Sequence, residues 1–530
     1  MAEEIHKVAM QRRALNPDEA SALVLLAAIL FGAWFRLMPA WLAGFPINDG
    51  GLFHSMIADI QANRYIPPVY ASYNHAQIPF AYPPLGLYLG ALISDLFNIP
   101  AVEVLRWLPG VINSLCIPAL YLLAKEILND KLTASIAAFV FAFIPHMTDW
   151  FSMGGGITRS LGGLFMLLTL AHAYRVFAHE DRKSIIPAAI FGSLAALSHT
   201  EAPVYTIAIA VFFWFMKSRA RKGIAHGIQI ALGVLLLAGG WFAWIIHSHG
   251  LTPFESAFQT GLHSNTSLLR ILNIDFLTEE HFVDIIGVLG LLGTVFLIGK
   301  GDLLIPGMLF VIFLVQPRSA HTIGNIPLAL AAGYFITRIL HPPFQNSKTT
   351  PPYRLPVVLL VILPFIFSNS IFHGLALSRE HAPEAEREAM EWIRQNTPPD
   401  AAFLVITGEP NPFCDSVGEW FPALTDRKSI ATLQGREWTL GNEFNDFIQN
   451  ASGLQTCLDK GLECLEQEAE ALGGIPAYIY ASLDPTTVHC NPAASTPDMV
   501  HPLLLDLERS PKYTEIYRSD AAIIFQQRQP

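Results

Sequence analysis

Eleven apolar stretches dominate this chain, near residues 21–40, 105–123, 133–147, 159–176, 185–198, 203–217, 225–247, 283–299, 303–316, 322–338 and 355–372. A bilayer-crossing helix needs roughly 20 apolar residues, and fewer suffice where a bundle buries it. The protein is 52% hydrophobic and only 15% charged, against about 25% charged in soluble domains. The pattern predicts a polytopic α-helical membrane protein with about 11 spans. A twelfth apolar stretch, "YPPLGLYLGALISDLF" (82–97), is short, opens on two prolines and ends on an aspartate.

Charge placement decides how that stretch is read. With it left out of the count, the loops on one side carry Lys125, Lys131, Arg175, Arg182, Lys183, Lys217, Arg219, Arg221, Lys222, Lys300, Arg338, Lys348 and Arg354. The other side keeps Arg64, Arg106, Arg159, Arg270 and Arg318. The positive-inside rule then puts the N-terminus in the cytoplasm and residues 82–97 in the outer interface. The expected organisation is a cytoplasmic N-terminus (1–20), a transmembrane region (21–375) whose first outer loop is 41–104, and an extracytoplasmic region (376–530). No cleavable signal peptide is expected, because Lys7, Arg12 and Arg13 lead directly into a long anchor-like run.

From Leu377 onward there are 11 Lys+Arg against 24 Asp+Glu, while the rest of the chain is nearly balanced at 22 against 20. That acidity does not favour nucleic acid, which needs basic faces. "EAEREAMEWIRQNTPPD" has the period of an amphipathic helix stopped by prolines, "AAFLVI" and "PAYIYASL" read as strands, and "YTEIYRSDAAIIFQQ" reads as a hairpin. The tail is therefore expected to be a small soluble α/β domain. "HPPFQNSKTTPPYR" (341–354) reads as a cytoplasmic linker. Cys414, Cys457, Cys464 and Cys490 all lie in the tail and are disulfide candidates, with three pairings open.

Once the sides are assigned, ionisable residues from four separate loops gather on the outer face: Asp49; Asp149; His199 and Glu201; Arg318 and His321. Such groups beside hydrocarbon are costly and usually paired or functional. Structural roles compete at each position. Asp49 can cap the helix that follows it, Arg318 can snorkel to headgroups, and the glycines of "GGGITRSLGG" can simply permit close helix packing. The same segment also offers bare backbone N–H groups and Arg159, an arrangement suited to an anion.

Carboxylates and arginines at a lipid–water boundary suit sugar transfer from a lipid phosphate. A carboxylate takes the proton of an acceptor hydroxyl as that oxygen attacks the anomeric carbon. An arginine, with or without a metal ion, steadies the departing phosphate. Single displacement of this kind implies inversion, by analogy with glycosidases.

The chain also resembles the GT-C class of integral-membrane glycosyltransferases, which includes oligosaccharyltransferase catalytic subunits, protein O-mannosyltransferases and aminoarabinose transferases. "DGGLFHSMI" resembles the acid–aromatic–His pattern of the oligosaccharyltransferase branch, and "YPPLGLYLGAL" its "PPL" surface segment. "AMEWIRQNTPPDAAFLV" resembles the opening of the extracytoplasmic domain in bacterial and archaeal members. The resemblance implies a cell-membrane, cell-envelope glycosyltransferase using a polyprenyl-phosphate-linked sugar donor and an acceptor that is a glycan, lipid or protein. Asp49 and Asp149 are then the expected catalytic acids, with Asp49 as base. Arg159, Arg318 and His321 are the expected donor-phosphate contacts, and His54, His199 and Glu201 the substrate lining. A divalent metal (Mg or Mn) would fall to Asp49 and Asp149. The Trp-Trp-Asp sequon motif is absent, "GEWFPAL" (418–424) being no substitute, and no paired Asp-x-Asp or Asp-x-Glu surrounds Asp149. A lipid-linked glycan transporter or flippase, or a non-catalytic envelope assembly protein, is the alternative.

Overall fold

A computed structural model describes residues 16–145, 149–218, 221–261, 285–340, 354–483 and 501–528. Each of the eleven apolar stretches is helical within those residues. The first helix, Pro17–Ala43, is closed at both ends by its own sequence. Asn16 and Glu19 form a reciprocal capping box, and Gly44 ends the helix in the left-handed region at φ 65°.

Five described helices are long and apolar enough to cross a membrane: Pro17–Ala43, Ala101–Leu128, Gly156–His179, Arg221–His249 and Ala320–Leu340. Ile285–Gly299 and Leu304–Val315 pass that test only as a pair, bent by 116°. Other apolar helices are shorter, with 12 residues in Lys131–Ala142 and in Ile185–Ala196. At 1.5 Å per residue such a helix spans only about 18 Å of a roughly 30 Å hydrocarbon core. Length, and not apolarity, sets these two short helices apart from the five.

A full charge is buried among the described helices. Arg36, wholly buried, donates to Asn113 Oδ1 and to the carbonyls of Gly32, Ala142 and Phe141. Three helices are thereby tied together at one guanidinium, which satisfies the demand that an intramembrane charge be fully hydrogen-bonded. Helix Arg221–His249, by contrast, leaves Leu232, Leu235, Leu236 and Leu237 exposed, as a lipid-facing surface would.

The segment expected to be the first outer loop, 41–104, holds helix Gly51–Ala62, a two-residue ribbon of β1 (Tyr70–Ala71) and β2 (Ile78–Pro79), and helix Leu85–Phe97. The C-terminal region forms a five-stranded sheet from β3 (Ala402–Ile406), β4 (Lys428–Ser429), β5 (Tyr478–Ser482), β6 (Tyr513–Arg518) and β7 (Ala522–Gln527), in the order β4-β3-β5-β7-β6. β4, β3 and β5 run parallel, and the β6–β7 hairpin adds antiparallel strands. The central strands are apolar on both faces because helices cover both, as parallel sheets require. Phe403, Val405 and Tyr480 face helices Glu384–Asn396 and Ser416–Thr425. Leu404, Ile406 and Ile479 face Phe444–Gln455, Leu462–Glu470 and Pro502–Arg509. Cys457 is joined to Cys464, and Cys414 is also disulfide-bonded. Cys490 and the linker at 341–353 lie outside the described residues.

This region docks directly on the first outer loop. Trp420 Nε1 donates to Asn48 O at 2.9 Å, Tyr73 Oη donates to Glu419 O at 2.6 Å, and the Asn74 amide bonds both the N–H and the C=O of Ser429. Phe45, Tyr73, Trp420 and Trp438 share one buried apolar cluster with helix Gly51–Ala62.

Candidate active site

Past Gly44, the chain makes a tight turn in which Asn48 and Gly50 adopt φ of 48° and 148°. Gly50 must be glycine both for that φ and because a Cβ there would lie 2.6 Å from the Trp420 ring. The turn buries Asp49 to 6% exposure and aims its carboxylate at the start of helix Gly156–His179. There Gly155 N–H donates to Oδ1 at 2.9 Å, and Arg159 Nη2 donates to Oδ2 at 2.6 Å. The glycine run makes the approach feasible: a Cβ on Gly155 would sit 2.5 Å from Asp49 Oδ2, and one on Gly154 only 2.1 Å from Asp49 O. The anion held by this helix start is thus the chain's own carboxylate. Arg159 is fixed further by a bond to Trp150 O and by lying 5.0 Å from the Trp150 ring centroid.

Asp49 and Arg159 form part of the wall of a cavity of about 710 Å³, which His199, Glu201 and His321 also line. Two loops far apart in sequence are tied together there. Gln316 Nε2 donates to Glu201 Oε1 at 3.1 Å, and Tyr205 Oη donates to Gln316 O at 2.6 Å. Tyr82, from the "YPPL" segment, completes this side. Burial, opposed by the nearby Arg159 charge, pushes its phenol up to about 12, so it keeps its proton. Arg318 lies in the turn Pro317–Ser319 beside these groups; its side chain is outside the described residues.

Two of the expected site residues stand elsewhere. Asp149 opens the four-residue helix Asp149–Ser152, which turns Trp150 and Phe151 to the cavity while Asp149 pairs with His373 near the end of helix Arg354–Leu377. His54 does not line the cavity either. The helix face that carries it docks on Ser416–Thr425, leaving its ring 6.0 Å from that of Trp420, where burial lowers its pKa.

The opposite wall comes from the C-terminal region and includes Asp415, Glu419, Ser429, Gln434, Glu437 and Trp438. Glu419 approaches Asp49 closely: its Oε1 lies 3.4 Å from Gly50 N and 3.5 Å from Leu52 N. Burial, and then the negative charge of Asp49, push its carboxyl well above the usual range. Asp415 is raised by burial to about 6.

Comparisons with known proteins agree with this architecture. Residues 81–244 match the family model described as dolichyl-phosphate-mannose-protein mannosyltransferase. A dolichyl-phosphooligosaccharide-protein glycotransferase 2 of Archaeoglobus fulgidus is 31% identical over 148 residues, which span 27% of this chain and 23% of that protein. The crystal structure of the Archaeoglobus fulgidus oligosaccharyltransferase, solved with Zn and sulfate, superposes with TM-score 0.56 at 18% identity, covering 87% of this chain and 68% of the other. Apo ArnT from Cupriavidus metallidurans gives TM-score 0.55 at 13% identity over 95% and 97% of the two chains. The mycobacterial arabinofuranosyltransferase AftD gives 0.56 at 16% identity, this chain spanning 40% of its length. The chain has the GT-C glycosyltransferase fold.

The family-model match begins one residue before Tyr82 and runs through the Asp149–Arg159 segment and Glu201, three of the stretches that reach the GT-C cavity. Among the described residues no group of three or more His, Cys, Asp or Glu is placed to hold a metal ion. Asp49 already faces a guanidinium, and Asp149 a histidine. Sequence reasoning missed Glu419 and Trp438. Glu419 lies in "GEWFPAL" (418–424) and Trp438 in "GREWTL" (435–440), where the only signal was an acidic residue beside a tryptophan in a polar region.

Proposed function

We propose that this protein is an inverting glycosyltransferase that moves a sugar from a polyprenyl-phosphate-linked donor to an acceptor on the outer face of the cell membrane, with Asp49 as general base. The observation that carries this reading is Asp49's position. It is anchored by Gly155 N–H and Arg159, at the wall of a cavity bounded by membrane-helix ends below and the C-terminal region above. Each carboxylate oxygen uses one lone pair on those anchors and keeps another to accept an acceptor proton. Arg159 spends two of its five N–H donors on Asp49 and Trp150; the others, with Arg318 and His321, would neutralise the leaving phosphate.

The donor is assigned from the family-model match and from the cavity's place at the helix ends, where a lipid phosphate would lie. An eleven-pass topology with the N-terminus inside goes with this reading. It is supported by the way Asp49, Tyr82, Phe151, His199, Phe254 and Gln316 line one cavity, with Glu380 bonded to Asn48 beside it, while helical passes separate most of the segments that carry them. Residues near the ends of ten passes thereby return to one side.

The test is transfer of a labelled sugar from a polyprenyl phosphate by Asp49→Asn. The isosteric amide keeps the fold but cannot take the proton, so turnover should drop by about a thousandfold or more. Wild-type turnover in a folded, inserted Asp49→Asn protein would remove Asp49 as base.

A further inference from the structure

The transfer reading uses only the membrane-side wall of the cavity. The wall opposite, contributed by residues 429–438, has its own chemistry. Trp438 Nε1 and Ser429 Oγ are buried, on side chains 4% and 0% exposed, and have no hydrogen-bond partner among the described residues. Buried polar atoms are bonded in the great majority of cases, so two such groups on one cavity wall mark where a bound molecule would supply the partners. Gln434 and Glu437 line the same wall. Their planar amide and carboxylate each present a two-atom fork, which matches a pair of adjacent hydroxyls. The Trp438 ring packs edge-to-face on that of Tyr82, with centroids 5.7 Å apart, which fixes the indole N–H on this wall.

We propose that Ser429, Gln434, Glu437 and Trp438 form a saccharide-binding subsite that seats the acceptor. Forked polar groups for paired hydroxyls, beside an indole N–H and a serine hydroxyl that have no partner among the described residues, are the chemistry that distinguishes a saccharide from an acyl chain. An extended peptide fits this wall poorly. It would add to a sheet edge through main-chain bonds, but the edge strand β4 is already closed, because Asn74 takes both the N–H and the C=O of Ser429. The wall is also preset: Gly435, at φ +84°, lies so close on β2 that a Cβ would meet Ile78 Cδ1 at 2.4 Å. The word "acceptor" rests on the transfer reading; binding of the saccharide does not.

The experiment is saturation-transfer NMR on the full chain in lipid nanodiscs without donor. The probes are methyl glycosides, short oligosaccharides, the same oligosaccharides on a lipid anchor, and Ser-, Thr- and Asn-containing peptides. Saccharides should show transfer and peptides none. Gln434→Ala should weaken binding by about tenfold, and Trp438→Phe, which keeps a ring but loses the N–H, by about fivefold. Binding of free oligosaccharide identifies a soluble glycan, and binding of the anchored form alone identifies a glycolipid head. Peptide binding without saccharide binding, or saccharide binding indifferent to both variants, overturns the subsite. Saccharide binding by a protein that transfers no sugar from polyprenyl phosphate would sink the transfer reading and leave the subsite standing.

Discussion

At the scale of single residues, the central fact is that a carboxylate occupies the anion site that the glycine run builds. Gly155 therefore has no room to change. In Gly155→Ala the new methyl would meet Asp49 Oδ2 at 2.5 Å and the Phe53 ring at 2.6 Å, so the carboxylate must move. A displacement of about 1 Å at a reacting group can cost roughly a hundredfold in rate. Transfer by Gly155→Ala should fall by about that factor with the protein still inserted; an unchanged rate would mean that the Asp49 anchor does not matter. In the C-terminal region, Glu409 and Asp415 are held by burial at about 7 and about 6, above their ordinary 4.5 and 3.8. A carboxyl raised in this way binds its proton more tightly folded than unfolded, so its contribution to stability is present at low pH and is lost as pH rises. The melting temperature of the C-terminal region should therefore decline between pH 4.5 and about 7, and decline less in Asp415→Asn, as read by thermal denaturation across pH. A melting temperature that climbs through that window would contradict the burial of these groups.

Among elements, the passes pack through glycines that hydropathy cannot see. Helices Ile285–Gly299 and Asn325–Phe335 cross so closely that a Cβ on Gly293 would lie 2.2 Å from Ala331 O, and where Asn325–Phe335 meets Lys131–Ala142 one on Gly333 would lie 2.8 Å from Ala137. Gly293→Val should destabilise the bundle by about 1–3 kcal/mol, the usual cost of overpacking. Because the displaced helix begins at the turn carrying His321, it should also lower transfer; detergent melting and turnover measured on one preparation would link the two. The helices themselves were legible because apolar runs separated by charged loops leave little freedom. Their lengths were not, since Lys131–Ala142 and Ile285–Gly299 end where the chain turns, and no apolar count marks that point. In the tail, β3, β5 and the β6–β7 hairpin could be read from β-branched and aromatic runs. β4, two residues long, carries no period to detect. The site shows the same division. Asp49, Arg159, His199, Glu201 and His321 share a cavity because each sits at a helix end on one face, which loop assignment could find. Asp149 and His54 escaped that logic, for the direction of a side chain within a short helix depends on its neighbours.

For the whole molecule, contacts and charges constrain the topology independently. The docking of Trp420 on Asn48 and of Ser429 on Asn74 forces the first outer loop and the C-terminal region onto the same side of the membrane. The chain between residues 44 and 377 must then cross an even number of times, whatever the count. The same reasoning applies to shorter intervals. Asp49 and Gly155 touch, yet Ala101–Leu128 carries the chain away from that face, so Lys131–Ala142 must bring it back although it has only 12 residues. The basic loops bear on which side is external. Two reporter fusions therefore test different things. One after Arg221 should be cytoplasmic and one after Asn450 external. Reversal of both would overturn the charge argument and keep the cavity intact. Placement of both on one side would break the alternation of passes and separate Asp49 from the groups that anchor it.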